Sequence, residues 1–150
     1  MTVTFCGHRD VYPDEAKLRM WLNETVRDLI ARGADRFYLG GYGSFDRLAA
    51  SVVQNLRTNY PGIESVLVLA YLDREQDALD LGTYDRTTYP PLESVPKRLA
   101  IVRRNEWMVD QSDVVVSGVR HEWGGAYRTL KYAEKRRKEI IRYATESHRG

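Results

Sequence analysis

Cysteine is almost missing from this chain: Cys6 is the only one in 150 residues. A lone thiol excludes an internal disulfide framework and a cysteine-rich zinc site. Histidine is scarce too, limited to His8, His121 and His148, so no dedicated metal site is expected. No apolar run approaches the roughly 20 residues of a membrane span. The first residues, Met-Thr-Val-Thr-Phe-Cys-Gly, have neither the basic start nor the apolar core of a secretory signal. The expected location is the cytoplasm, with no membrane partner. An excess of one charge is also lacking. Lys and Arg number 23 against 21 Asp and Glu, a net charge of +2, with a pI near 8.7. That falls short of the basic footprint usual in nucleic-acid binders, and argues against nucleic acid as a partner.

What is present describes an ordinary globular domain. Hydrophobic residues make up 43% and charged residues 29%, too apolar for a disordered chain. The length suits one domain spanning residues 1–150. No internal repeat or linker divides it. Single domains of this size often dimerise, but no apolar stripe in the sequence marks a dimer face.

Strand and helix signals alternate. Thr2 to Cys6 is a short β-prone run stopped by Gly7. Leu18, Trp21, Leu22, Val26, Leu29 and Ile30 then keep helical spacing after Pro13, and Gly33 closes the helix. Arg36 to Leu39 is a second strand. Ser44 caps a helix whose apolar face is Phe45, Leu48, Ala49, Val52, Val53 and Leu56. Ser65 to Ala70 is a nearly all-apolar third strand. Residues 71–95 show no period and hold Gly82, Pro90 and Pro91, which predicts a long loop. A helix from Leu99 to about Ser112, a strand from Asp113 to Ser117, a helix from Gly124 to about Arg137 and a strand at 140–143 complete the chain. The alternation implies a three-layer α/β/α Rossmann-like fold with a five-stranded parallel sheet, order 3-2-1-4-5. The basic run from Lys131 to Lys138 falls late in a helix, where cations complement the dipole.

In such sheets ligands bind beyond the carboxyl ends of the strands, where strand order reverses. The exits of the predicted strands therefore nominate the site. After strand one, Gly7 permits a tight exit, and Arg9 is either a surface arginine or a phosphate ligand. After strand two, Gly40-Gly41-Tyr42-Gly43 precedes a helix, where free amides attract an anion. No Gly-Lys-Ser/Thr follows, so this is not a P-loop. Asp46 either favours the helix dipole or acts on a ribose hydroxyl or as an acid or base. After the fourth strand, Gly124 and Gly125 open a second helix. Trp123 is either a buried aromatic or a surface for a base. Arg104 and Asn105 lie mid-helix and cannot both face the core comfortably.

The order and spacing of four segments resemble the SLOG superfamily, which includes the Smf and Lonely Guy (LOG) proteins, and within it the small YpsA/YoqJ-like branch. These segments are Thr4-Phe5-Cys6-Gly7-His8-Arg9, Gly40-Gly41-x-Gly43-x-x-Asp46, Arg104-Asn105-x-x-Met108-Val109-Asp110-x-Ser112-Asp113, and Gly124-Gly125-Ala126-Tyr127. The resemblance implies a nucleotide pocket at the strand ends, drawing in Tyr127 with the other residues named. LOG relatives cleave an N-glycosidic bond with a glutamate set after their glycine pair. Here that place falls on Lys131, or on Tyr132 with one insertion, and neither is a carboxylate. Glu122, before the glycines, and Glu134, a turn later, are candidates only as substitutes.

The expected function is binding of a nucleotide or nucleotide-derived phosphate ligand, with no further cofactor implied. The alternative is an N-glycosidase or deoxyribosyltransferase-like enzyme acting on a nucleoside monophosphate. There Asp46 or Glu122 would supply the carboxylate, and loop 71–95 would close over the substrate. A DNA-associated role, by analogy with Smf relatives, is disfavoured by the charge.

Overall fold

The computed structural model describes residues 1–10, 12–72 and 83–144. Its elements are β1 (Thr2–Cys6), α1 (Glu15–Ala31), β2 (Arg36–Leu39), α2 (Gly43–Leu56), β3 (Glu64–Val68) and β4 (Arg86–Thr88). A single 3-10 turn (Lys97–Leu99) then leads into α3 (Ala100–Asp110), β5 (Val114–Ser117), α4 (Gly124–Lys135) and β6 (Glu139–Arg142). The strands form one sheet in the order β4-β3-β2-β1-β5-β6, and every neighbouring pair is parallel.

The predicted class and core order are as expected, with one strand added. β4 lies inside the segment read as loop 71–95. It has only three residues, Arg-Thr-Thr, with no apolar alternation, so periodicity could not reveal it. It pairs along β3 at the sheet edge. The rest of that segment from 73 to 82, including Gly82, lies outside the described residues.

Side chains alternate across the sheet as strand geometry requires. Val3, Phe5, Phe37, Leu39, Val114 and Val116 pack with α1 and α2 residues in the main core. Cys6 and Val115 pack with α4, and Tyr38, Val66 and Val68 with α3. Burial pushes the Cys6 thiol up to about 12, so it stays protonated. At the end of α1, Gly33 takes φ +107°. Its amide bonds Ile30 O at 2.9 Å, and the Ala34 amide bonds Leu29 O at 2.9 Å, the paired closure expected of a glycine stop.

The buried stripe of α3 carries a charged residue. Its buried residues are Ala100, Arg104, Met108 and Val109, while Val102 is exposed. The slot between Ala100 and Met108 belongs to an arginine, because its guanidinium finds carbonyls there.

Candidate functional site

Strand order reverses between β1 and β5. Beyond their ends lies a cleft of about 360 Å³ whose lining includes Gly7, His8, Arg9, Asp46, Arg104, Asn105, Trp123, Gly124 and Gly125. Residues from all four sequence segments thus meet in one place. A second cavity of about 530 Å³ adjoins it across Tyr42 and Arg104, beyond the ends of β2 and β3. Gly40 and Gly41 line this second cavity. Gly43, Glu122 and Tyr127 line neither. Glu122 sits exposed on the turn before α4, and Lys131 Nζ lies 5.8 Å over the Tyr127 ring. At the place of the LOG glutamate, Lys131 pairs with Glu134 at 3.0 Å, and Tyr132 Oη donates to Asp110 at 2.8 Å. The α4 residues that do reach the cleft after the glycines are Ala126 and Thr129.

The two glycine-rich helix openings are built differently. At α2 the amides are already used. Ser44 N–H donates to Arg9 O at 3.0 Å and Phe45 N–H to His8 O at 3.3 Å. The loop amides of Tyr42, Gly40 and Gly41 favour the charged form of the Asp46 carboxylate. The expectation of free amides at this opening is therefore corrected: the chain supplies its own acceptors. The glycines nearby serve packing. A Cβ on Gly7 would stand 2.1 Å from Phe45 Cγ, and one on Gly43 would stand 2.5 Å from Arg9 Cα.

At α4 the opening is free. A Cβ placed on Gly124, which has φ +91°, or on Gly125 would meet no atom within 4 Å. No side chain caps the helix. The first amides of a helix have no partner inside it, so those of Gly124, Gly125 and Ala126 open to the cleft with the positive end of the helix dipole behind them.

Arg104 is 2% exposed. Its Nη1 donates to Gly40 O and to Val68 O, each at 2.9 Å, and its Nε to Asn105 Oδ1 at 2.9 Å. Asn105 thus orients the arginine. Among the described residues Nη2 has no hydrogen-bond partner, and no carboxylate forms an ion pair with the group. Asp46 acts on it through charge at a distance, while burial lowers its basicity. Arg9 and Arg104 both lie against the Tyr42 ring, with Cζ at 5.7 and 5.3 Å from its centroid. Burial raises Asp46 to about 6, against the opposing pull of Arg104 and the loop amides. That value suits an acid or base near neutrality.

Sequence reasoning missed the histidines. His8 is buried, and its Nε2 accepts the Arg120 amide at 2.7 Å. The neutral ring therefore carries its proton on Nδ1. Burial, then His121 and Arg120, lowers it to about 4. His8 stacks on His121 at 3.7 Å between centroids, and His121 stacks on Trp123 at 3.6 Å. The outer ring of this stack is open: Trp123 is 67% exposed. It is neither the buried aromatic of one sequence reading nor part of the core. The position of His8, directly after the β1 glycine, was the signal that could have nominated it.

No family model matches the sequence. No curated protein matches it either. Solved structures do share the fold. DNA processing protein A from Helicobacter pylori aligns with TM-score 0.65 at 16% identity, over 97% of this chain and 66% of that one. The Streptococcus pneumoniae protein of the same name aligns with TM-score 0.69 at 14% identity, over 97% of this chain and 50% of that one. The structural-genomics target TM1055 aligns with TM-score 0.62 at 18% identity, over 93% of this chain and 71% of that one. The chain spans about two thirds of the first DNA processing protein and half of the second. At these identities the likeness is one of fold. Among the described residues no helix is long and apolar enough to cross a membrane.

Proposed function

We propose that the cleft between β1 and β5 binds the phosphate of a nucleotide or nucleotide-derived small molecule. The phosphate sits on the amides of Gly124, Gly125 and Ala126, with Arg9 as its mobile cation and Arg104 as its fixed one. The base lies on the open face of Trp123, the residue next to those amides. The observation that carries this reading is the pairing of an uncapped, glycine-opened helix start with unpaired arginine donors on one cleft. Nothing in the packing calls for a glycine at 125, where a Cβ meets no neighbour. The motifs further support placing the chain near the YpsA/YoqJ-like branch.

Calorimetric titration with adenosine monophosphate and with adenosine tests the assignment. The monophosphate binds and quenches Trp123 emission, whereas adenosine binds at least tenfold more weakly, about 1.4 kcal/mol. Equal binding of the two defeats the phosphate assignment.

A second reading is favoured by the fold neighbours. The Helicobacter pylori protein is described by its single-stranded DNA binding mode. Open amides, two arginines and an exposed indole would equally accept one nucleotide within a strand, since stacking on an aromatic ring tolerates any base. Net charge alone therefore weighs less against nucleic acid than the sequence suggested. A short oligo(dT) in the same titration separates the two. Strand binding gives tighter association than the monophosphate and a steep loss of affinity with salt.

A further inference from the structure

We infer that Asp14, at the start of α1, is a positioning residue for Trp123: through Arg120 it fixes the loop that carries the indole. The inference rests on the base-stacking role given to Trp123 above. Asp14 itself lines neither of the two cavities.

Asp14 occupies the N-cap of α1, where an aspartate ordinarily accepts an amide of the first helical turn. Its side chain makes no such bond. One oxygen accepts the Arg120 guanidinium, and the other accepts the Tyr143 hydroxyl at 2.7 Å. Arg120 belongs to the loop between β5 and α4, and Tyr143 directly follows β6. Three distant pieces of chain thus meet on one carboxylate. Asp14 and Arg120 are each less than a quarter exposed. Burial works against the charged carboxylate, yet Tyr143 and Arg120 together hold Asp14 below its ordinary range.

Locally the arrangement is unfavourable. The helix goes without a side-chain cap. Arg120 Nε is buried with no hydrogen-bond partner among the described residues, which costs the desolvation of that donor. Departures from local optima of this kind collect where function sets the geometry. What the pair secures is the path of residues 118–123. Tyr12 Oη donates to Gly118 O at 2.7 Å, and the Arg120 amide donates to His8 Nε2 at 2.7 Å. The guanidinium, 4.6 Å over the Tyr12 ring, is the third hold. With Arg120 pinned by backbone and side chain, His121 is laid on His8 and Trp123 on His121. An indole 67% exposed has little packing of its own, so it takes its place from this loop.

The phosphate-binding amides do not depend on the same hold. Leu130 and Ala133 seat α4 against Cys6, Val109 and Val115. Asp14 therefore governs the base half of the site and leaves the phosphate half alone.

The probes are adenosine monophosphate and ribose 5-phosphate, the same phosphate without a base, titrated calorimetrically into the full chain. Asp14→Asn keeps a good N-cap residue and removes the charge. It weakens monophosphate binding about tenfold, within the value of one stacked base, and leaves ribose 5-phosphate binding unchanged. Tyr143→Phe removes one donor to Asp14, keeps the ring against Trp21, and gives a smaller loss of the same kind. In a Trp123→Ala background Asp14→Asn costs nothing further, as a residue acting through the indole requires. A further loss there, or an equal loss for both probes, makes Asp14 a general structural residue and overturns the inference. The indole N–H signal of Trp123 in nuclear magnetic resonance gives a readout without ligand. It moves in Asp14→Asn, while that of Trp107, packed on Tyr38, stays. An unmoved Trp123 signal overturns the inference whatever binds. If neither probe binds the wild type, the phosphate assignment falls, and the indole signal decides the role of Asp14.

Discussion

The starts of α2 and α4 look alike in sequence and behave as opposites in the structure. Each follows a strand of the parallel sheet, and each begins on a glycine with nearly the same backbone angle, φ +88° at Gly43 and +91° at Gly124. At α2 the loop after β1 lies across the helix end, and the carbonyls of His8 and Arg9 take its amides. At α4 no such loop intrudes. A glycine at a strand-to-helix junction reports that something approaches the backbone closely. It does not say whether the visitor is the chain itself or a ligand. Two such signals were legible here, and one of them is self-satisfied.

The largest expected effect follows from that difference. Gly43→Ala combines left-handed strain with a Cβ placed 2.5 Å from Arg9 Cα, a backbone atom with little freedom to yield. Strain and overpacking together cost roughly 2–5 kcal/mol. Gly124→Ala incurs the strain alone, since nothing lies within 4 Å, and costs roughly 1–2 kcal/mol. Urea unfolding of the two variants measures the gap. Equal losses would mean that the two openings are packed alike, and the comparison would break.

The next effect is in pH. Asp46 is raised to about 6, so between about pH 4 and 6 the folded state holds more protons than the unfolded. Its contribution therefore makes stability fall as pH rises through that window. His8 is lowered to about 4, so between about 4 and 6.5 the unfolded state holds more protons. Its contribution makes stability rise through nearly the same window. In the wild type the two slopes oppose each other. Asp46→Asn exposes the His8 slope, and stability climbs from pH 4 to 6.5. His8→Gln exposes the Asp46 slope, and stability falls. Thermal unfolding across that range reads both. A variant whose profile stays parallel to wild type would show that the group it lacks carries none of the pH dependence.

The scaffold was legible because long amphipathic helices and buried strands carry strong periods. Phe45, Leu48, Ala49, Val52, Val53 and Leu56 on α2 are all buried at the spacing read from sequence. β4 was hidden because an edge strand of three residues has no period to show. The site was legible in its residue types and only partly in their roles. Gly7 proves to make room for Phe45. Arg104 was placed by the bonds of its Nη1 to carbonyls at the ends of β2 and β3, contacts 64 and 36 positions apart in the chain that no local pattern encodes. The ring stack is similar: His121 and Trp123 are neighbours in sequence, but His8 joins them across the switch point, 113 positions from His121. Long-range juxtaposition is what the sequence could not express.

Trp123→Ala tests the open side at moderate size. The indole is 67% exposed, so unfolding should shift by no more than about 0.5 kcal/mol. Monophosphate affinity should drop by roughly 1–3 kcal/mol, the value of one base on an aromatic ring. A large loss of stability with unchanged affinity would make the residue a packing element.

Gly125→Ala is the smallest change and the most telling. The residue lies in the first turn of α4 with open space where a Cβ would go and no positive φ. Alanine is better than glycine in a helix by roughly 0.5–1 kcal/mol, so the variant should unfold at a slightly higher temperature. The added methyl would stand over the amides that receive the phosphate, and monophosphate binding should weaken by about tenfold. Stability and affinity then move in opposite directions. That divergence separates a glycine kept open for a ligand from one kept open for the fold. A variant that is more stable and binds as well as wild type would leave the α4 opening without an occupant.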